Sequence, residues 1–246
     1  MADVKPALSQ NDKLVLGALF DHEGLASKGV SISTTSPSLP GVSPAILPEL
    51  QRREAHAILP LNTEGPAREE NEKAIAQLSN LIADFPTYAS AWNNRAQAVR
   101  MLVGDDLTEE AAATSTLYDD LCEACRLAEP SAALGPEVSP LQAKILASAH
   151  THRAHLLLKA SRTLARVEEK RSRLPPGLRD VSGETMERMA ARDFQMGGSY
   201  GNPIAKQMAV QLNPYAKLCG EIVKEAMIKD LRESFQASAI LSQGKE

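Results

Sequence analysis

Apolar residues recur every three or four positions through the middle of this chain, and proline or glycine closes each run. Ile75, Leu78, Ile82 and Phe85 precede Pro86; Trp92, Ala96, Val99 and Val103 precede Gly104; Leu117, Leu121, Ala124 and Ala128 precede Pro130. That spacing is the helical period, and nowhere does the alternation of a half-buried strand replace it. A helix with a single apolar stripe must bury it against a neighbour, so the chain is committed to helices packed on helices. Aromatic residues make up only 4% of a composition that is 43% hydrophobic. Small and straight-chain apolar residues allow close helix packing, whereas sheets favour aromatic and β-branched ones. The expected fold class is therefore all-α. Further helices are expected over Ser139–Arg171, with an interruption, and over Gly183–Met196. A last one starts at Asn213, an N-cap followed by Pro214, with Leu218, Cys219, Ile222, Ala226, Met227 and Leu231 on its apolar face.

The pattern also divides the chain. Residues 1–24 contain a short amphipathic helix, "NDKLVLGALF" (11–20), and residues 25–45 are rich in Ser, Thr, Gly and Pro and read as a flexible linker. The helical domain spans 46–235 and a tail spans 236–246. A formal net charge of −4 offers nothing to a phosphate backbone, and the run "EEKRSR" mixes both signs like a solvated helix end. No nucleic acid is expected as a partner, and no apolar run reaches the length of a membrane span. Three cysteines are too few for a disulfide framework, and the first residues lack a signal-peptide pattern, so a cytoplasmic location, extending to the nucleus, is expected.

Two clusters carry potential chemistry. "CEAC", Cys122 to Cys125, has redox or zinc spacing, but its helical stripe runs straight through it and no second pair follows. In "HTHRAH", His152 and His155 share a helical face while His150 lies about 160° from His152, a poor geometry for three-point metal coordination. No phosphate loop, nucleophile elbow or HExxH motif is present. The reading is of a non-enzyme without cofactor or metal. Its rivals are a zinc- or thiol-dependent enzyme built on these residues and a structural subunit of a larger complex.

The helix pairs follow the logic of the tetratricopeptide repeat, a hairpin of about 34 residues in which a large residue, a small residue and a closing proline set the packing. Pro86 closes one unit; Trp92, Ala96 and Val99 take the large, small and large sites of the next, with Leu117, Leu121 and Ala124 in its second helix. Flanking units use "RREAHAIL", with Ala57 at the small site, and "HTHRAHLLL", with Ala154 there; "NTEGPAREE" and "RLPPGLRD" are insertions. The expected architecture is a tetratricopeptide-repeat-like superhelix of about three helical hairpins with a C-terminal capping helix. "NDKLVLGALF", "ASAWNNRAQA", "ARDFQMGGSYGNPIAKQM" and "LNPYAKLC", in this order, resemble the tetratricopeptide repeat protein 36 family over most of residues 11–230. That resemblance implies a non-catalytic protein-binding scaffold linked to Hsp70-type chaperones and, in animals, to tyrosine degradation.

Chaperone-binding repeats hold a C-terminal carboxylate with lysine, asparagine and arginine donors converging from several helices. Here Asn94 falls on one asparagine site, but Glu54 and Ile58 replace lysine and asparagine in the first unit. Ser148 and His152 stand in the third, with Arg153 one position off. The clamp is broken on this alignment. The candidate partner-binding residues, on the face where first helices line up, are Asn93, Asn94, Arg95, Gln97 and Arg153; the alternative is that Asn94 hydrogen-bonds a neighbouring helix's backbone and Arg95 packs its stem while pairing with an acid, with Trp92 in the core. Helix 11–20 is expected to fold back into this groove, within reach of its linker. Deleting residues 1–24 should then raise partner affinity in a pull-down titration, and unchanged affinity would contradict that docking.

Overall fold

A computed structural model describes residues 30–33, 38–130 and 137–213. Its helices are α1 (Leu47–Ile58), α2 (Arg68–Asp84), α3 (Ala89–Val103), the single turn α4 (Glu110–Ala113), α5 (Leu117–Ala128), α6 (Pro140–Leu164), α7 (Gly183–Ser199) and α8 (Pro203–Leu212). The fold is all-α. Each long helix packs on its predecessor and successor, in the nearest-neighbour order of stacked hairpins. The helix expected at 11–20 and the one expected to follow Asn213 lie outside the described residues.

Local chemistry sets the helix ends. Ser139 caps α6 by accepting from the Gln142 backbone N–H at 3.1 Å, while the Gln142 side-chain Oε1 accepts from the Ser139 N–H at 3.3 Å, with Pro140 at the first helical position. Gln142 also donates at 2.8 Å to the Ala128 carbonyl, tying the start of α6 to the end of α5. Ser182 and Asn202 cap α7 and α8 in the same way. The interruption expected before Arg171 falls after Leu164, where a 3₁₀ segment, Glu168–Arg173, takes over.

Part of the stretch expected as linker lies against the helices. Ser31–Ile32 (β1) pairs in parallel with Glu137–Val138 (β2), the Ser139 hydroxyl donates to the Ser38 carbonyl, and Thr87 donates at 2.8 Å to the Gly41 carbonyl. Leu39 is buried among Leu47, Tyr88, Val138 and Leu146. A ladder of two residues per strand is too short to leave an alternating signature in the sequence.

Two buried clusters form the core. One gathers Ala96, Leu117, Leu121, Leu157 and Phe194; the other gathers Leu50, Leu78, Leu81, Tyr88 and Leu146. Trp92 packs against both, half-buried, and its indole N–H donates at 3.0 Å to the Pro86 carbonyl. Small residues set the helix spacing: Ala89, Ala91, Ala96 and Ala98 of α3 are fully buried. The stretch "MGGSYGNP" ends α7 and starts α8; close approach requires Gly197 and Gly198, and a φ of 99° favours glycine at Gly201. A Cβ on Gly197 would stand 2.6 Å from Thr151 Oγ1 and 3.1 Å from Ala205 Cβ; one on Gly198 would meet the Lys206 backbone at 3.0 Å. Gly197→Ala is expected to destabilise the fold by about 1–3 kcal/mol through overpacking. Gly177→Ala, with nothing within 4 Å of its Cβ, should stay within about 0.5 kcal/mol of wild type. Urea unfolding midpoints of the two variants check the contrast.

Candidate functional site

The first helices of the three hairpins, α1, α3 and α6, touch one another through polar side chains. Asn94 on α3 donates at 2.8 Å to Glu54 on α1, and Tyr88 donates to the other oxygen of the same carboxylate at 2.7 Å. Gln97 on α3 donates at 3.3 Å to Ser148 on α6. Burial pushes the Glu54 carboxyl up, against the opposing pull of its hydrogen bonds to Tyr88, Ser90 and Asn94.

The arginines are directed elsewhere. Arg95 forks onto Asp120 of α5, at 2.9 Å through Nε and 2.7 Å through Nη2, and also donates to Ser79 of α2 at 3.0 Å. Its guanidinium carbon sits 5.0 Å from the centre of the Trp92 ring. Arg153 repeats the arrangement one hairpin later, with two 2.7 Å bonds to Asp193 of α7, which also pairs with His150 Nδ1 at 2.8 Å. Arg95 and Arg153 each stand immediately before the small residue of their repeat, Ala96 and Ala154. Each joins the first helix of its own hairpin to the second. Burial pushes Asp120 up more strongly than Arg95 pulls it back. At Asp193 the bonds to Arg153 and His150 outweigh burial and hold the carboxyl below its ordinary range. Asn93 is buried, and its side-chain oxygen has no hydrogen-bond partner.

Of the five residues expected to face a partner, Gln97 is exposed. Asn94 is half-buried on Glu54, Asn93 is enclosed, and Arg95 and Arg153 are engaged inside hairpins. The alternative reading of Arg95 as an internally paired residue describes its contacts, whereas Asn94 bonds to a side chain and not to backbone.

Among the described residues the cysteines and histidines do not converge. Burial raises both thiols, Cys125 up to about 12, which leaves neither as a thiolate at neutral pH. His150 is held by Asp193, His155 is exposed with its ring edge on Phe194 at 4.9 Å, and buried His152 is depressed to about 4 by desolvation. No group of three His, Cys, Asp or Glu residues placed to hold a metal occurs among the described residues.

Among the described residues two clefts lie along α6, and a third, of about 470 Å³, lies between Arg52, Arg53 and His56 of α1 and Gln77 and Asn80 of α2. A cleft of about 530 Å³ is bounded by Gln97 and Arg100 of α3, Lys144, Ser148 and His155 of α6, and the Tyr200–Pro203 turn. A second, of about 700 Å³, continues it past Lys159, Arg162, Arg166 and Met208 and shares Arg100, His152 and His155. This cationic lining was legible and missed: Lys144, Ser148, His152, His155, Lys159, Arg162 and Arg166 recur at intervals of three and four on one face.

The geometry separates architecture from surface in a measurable way. Arg95→Ala leaves Asp120 buried without its partner and should cost about 3–5 kcal/mol of folding stability. Gln97→Ala, at an exposed position, should stay within about 0.5 kcal/mol of wild type. Urea denaturation of the two variants decides this, and equal stability of Arg95→Ala and wild type would remove the structural role of the fork.

Comparison with known proteins agrees with the helical hairpins. The chain is 40% identical over 245 residues, 92% of this chain and 94% of the relative, to the L-tyrosine degradation gene cluster protein hmgX of Aspergillus fumigatus. It is 28% identical over 228 residues to tetratricopeptide repeat protein 36 of Xenopus tropicalis, covering 91% of this chain and 88% of the relative. With the tetratricopeptide repeat protein 36 homolog of Drosophila pseudoobscura it shares 26% identity over 227 residues, 92% of this chain and 97% of the relative. No family model and no solved structure matches the chain. Similarity over nearly the whole length of these relatives, on an all-α body, places the chain in the tetratricopeptide repeat protein 36 family.

Proposed function

We propose that this protein is a non-catalytic scaffold of the tetratricopeptide-repeat type that binds a protein component of tyrosine degradation in the cytoplasm, with the nucleus as a second compartment. The observation that carries the reading is the 40% identity, end to end, with a protein named for a tyrosine degradation gene cluster. The row of first helices supports the scaffold part, because stacked repeats offer a continuous face to a partner. Here that face keeps Gln97, Arg100, Lys144 and His155 exposed.

The raised thiols and the dispersed histidines favour a binding role over the zinc- or thiol-dependent alternative. No helix among the described residues is long and apolar enough to cross a membrane. An Hsp70-type chaperone link, which the resemblance implies, is assigned to a surface outside the carboxylate-clamp positions. There a terminal carboxylate would meet Glu54, and Asn94, the matching donor, is already bonded to it.

The test is affinity purification of the tagged protein from its own cells grown on tyrosine, read by mass spectrometry, beside a Gln97→Glu/His155→Glu variant. Enrichment of a tyrosine-degradation enzyme by wild type, reduced about tenfold or more in a variant that melts normally, is the expected outcome. Absence of any such enzyme from the wild-type sample would refute the tyrosine assignment. Unchanged enrichment by the variant would refute the proposed binding face.

A further inference from the structure

The longest helix carries a charge asymmetry that the scaffold reading does not explain. The chain has 31 Asp and Glu residues and a net charge of −4, yet the 25 residues of α6 include neither acid. Lys144, His155, Lys159 and Arg162 lie on one exposed face of that helix, and Arg166 follows just beyond its end. Between Lys144 and Arg162 the stripe runs about 27 Å at the helical rise. Arg100 of α3 faces it across the two connected clefts.

These cations are largely uncommitted. Lys159 pairs with Asp105, the single carboxylate among the residues that line the clefts. Among the described residues Arg100, Lys144, Arg162 and Arg166 form no direct ion pair, although Arg100 favours the Asp105 carboxylate and Lys144 that of Glu54 at longer range. Among the other described arginines, Arg52, Arg53, Arg68, Arg95, Arg126, Arg153 and Arg171 are each matched with an acid, while Arg173, Arg179, Arg188 and Arg192 are not, so what sets the α6 face apart is the grouping of its cations along one helix. Like charges left side by side on one face raise the local potential, and an anionic partner that neutralises them gains from it.

We propose that the α6 stripe, with Arg100 opposite, is a docking track for an acidic segment of a partner protein, recognised through side-chain carboxylates spaced along the segment. The proposal deepens the scaffold reading and rests on it, by giving the partner's chemistry at the same face. Its footprint differs from a terminal-carboxylate clamp. Its cations run along α6 from Lys144 to Arg162, with Arg100 on the last turn of α3 opposite, while the clamp position on α1 holds Glu54. The length and openness of the track suit an extended chain. Arginine forks at Arg100, Arg162 and Arg166 match carboxylate geometry. The chain's own ends do not supply the charge: residues 1–29 have four acids against three bases, and residues 214–246 have five of each.

The experiment is fluorescence anisotropy of a labelled twelve-residue glutamate-rich peptide, amidated at its C-terminus, titrated with the full chain. The expected result is saturable binding that weakens with salt. Arg162→Glu/Arg166→Glu should weaken it about tenfold or more. Arg52→Glu/Arg68→Glu, the same charge change on exposed faces of α1 and α2, should leave it within about twofold. Circular dichroism melting keeps unfolded variants out of the comparison. Absence of binding overturns the proposal, as does an equal loss in the two double variants, which would mark net charge and not the track. Binding only of the same peptide with a free C-terminus would restore the clamp. Tighter binding of a twelve-nucleotide single-stranded RNA, lost in the same variant, would reassign the track to nucleic acid. Because the probe has no sequence from tyrosine degradation, its failure removes this proposal and leaves the partner-capture experiment to judge the scaffold reading.

Discussion

The body of this protein depends on two buried forks, Arg95 on Asp120 and Arg153 on Asp193, set at equivalent places in successive hairpins. A planar guanidinium that meets a carboxylate with two parallel bonds fixes both distance and angle between the helices that carry them. Apolar contacts alone are less directional, and α3 offers mostly alanine to its neighbours. The forks hold each hairpin in register, and the alanines and the Gly197–Gly198 pair then let the helices close to the separation that the core requires. Desolvating such a pair is expensive, and the arrangement is tolerated because Ser79 and Thr116 at the first fork, and His150 at the second, supply further bonds.

That division of labour decides where function can reside. Side chains that lock hairpins are withdrawn from solvent and from any partner, so the conspicuous asparagine–arginine strip is chiefly architecture. What remains available is the face of α3 and α6 that the forks do not use, where Gln97, Arg100, His155 and the cations of α6 line a continuous cleft. The scaffold role proposed above would need no more chemistry than this: a rigid set of helices, and charge presented on one side of it.

The long helices were legible, because a stripe such as Trp92, Ala96 and Val99 is a local signal within one or two turns, whereas α8 was not among the helical ranges expected. The fork partners were not: Asp120 is 25 positions from Arg95 and Asp193 is 40 from Arg153, and no local rule connects them. Asn94 bonding to Glu54, 40 positions away, was hidden for the same reason. The two-residue ladder at Ser31–Ile32 lies in sequence too polar and too short to announce it. The basic stripe differs from these. Its three- and four-residue spacing is as local as that of the apolar stripes, but each member alone reads as a solvated helix position, and only the missing acids and the neighbouring Arg100 make it a surface.

Site-specific photo-crosslinking tests the working face most directly. A photoreactive residue at Gln97 or His155 lies on the cleft, and one at exposed Glu187 lies on α7. In cells, the account predicts that the same partner is captured from both cleft positions and not from position 187. Capture from position 187 alone would place the working surface on the second helices and contradict the account.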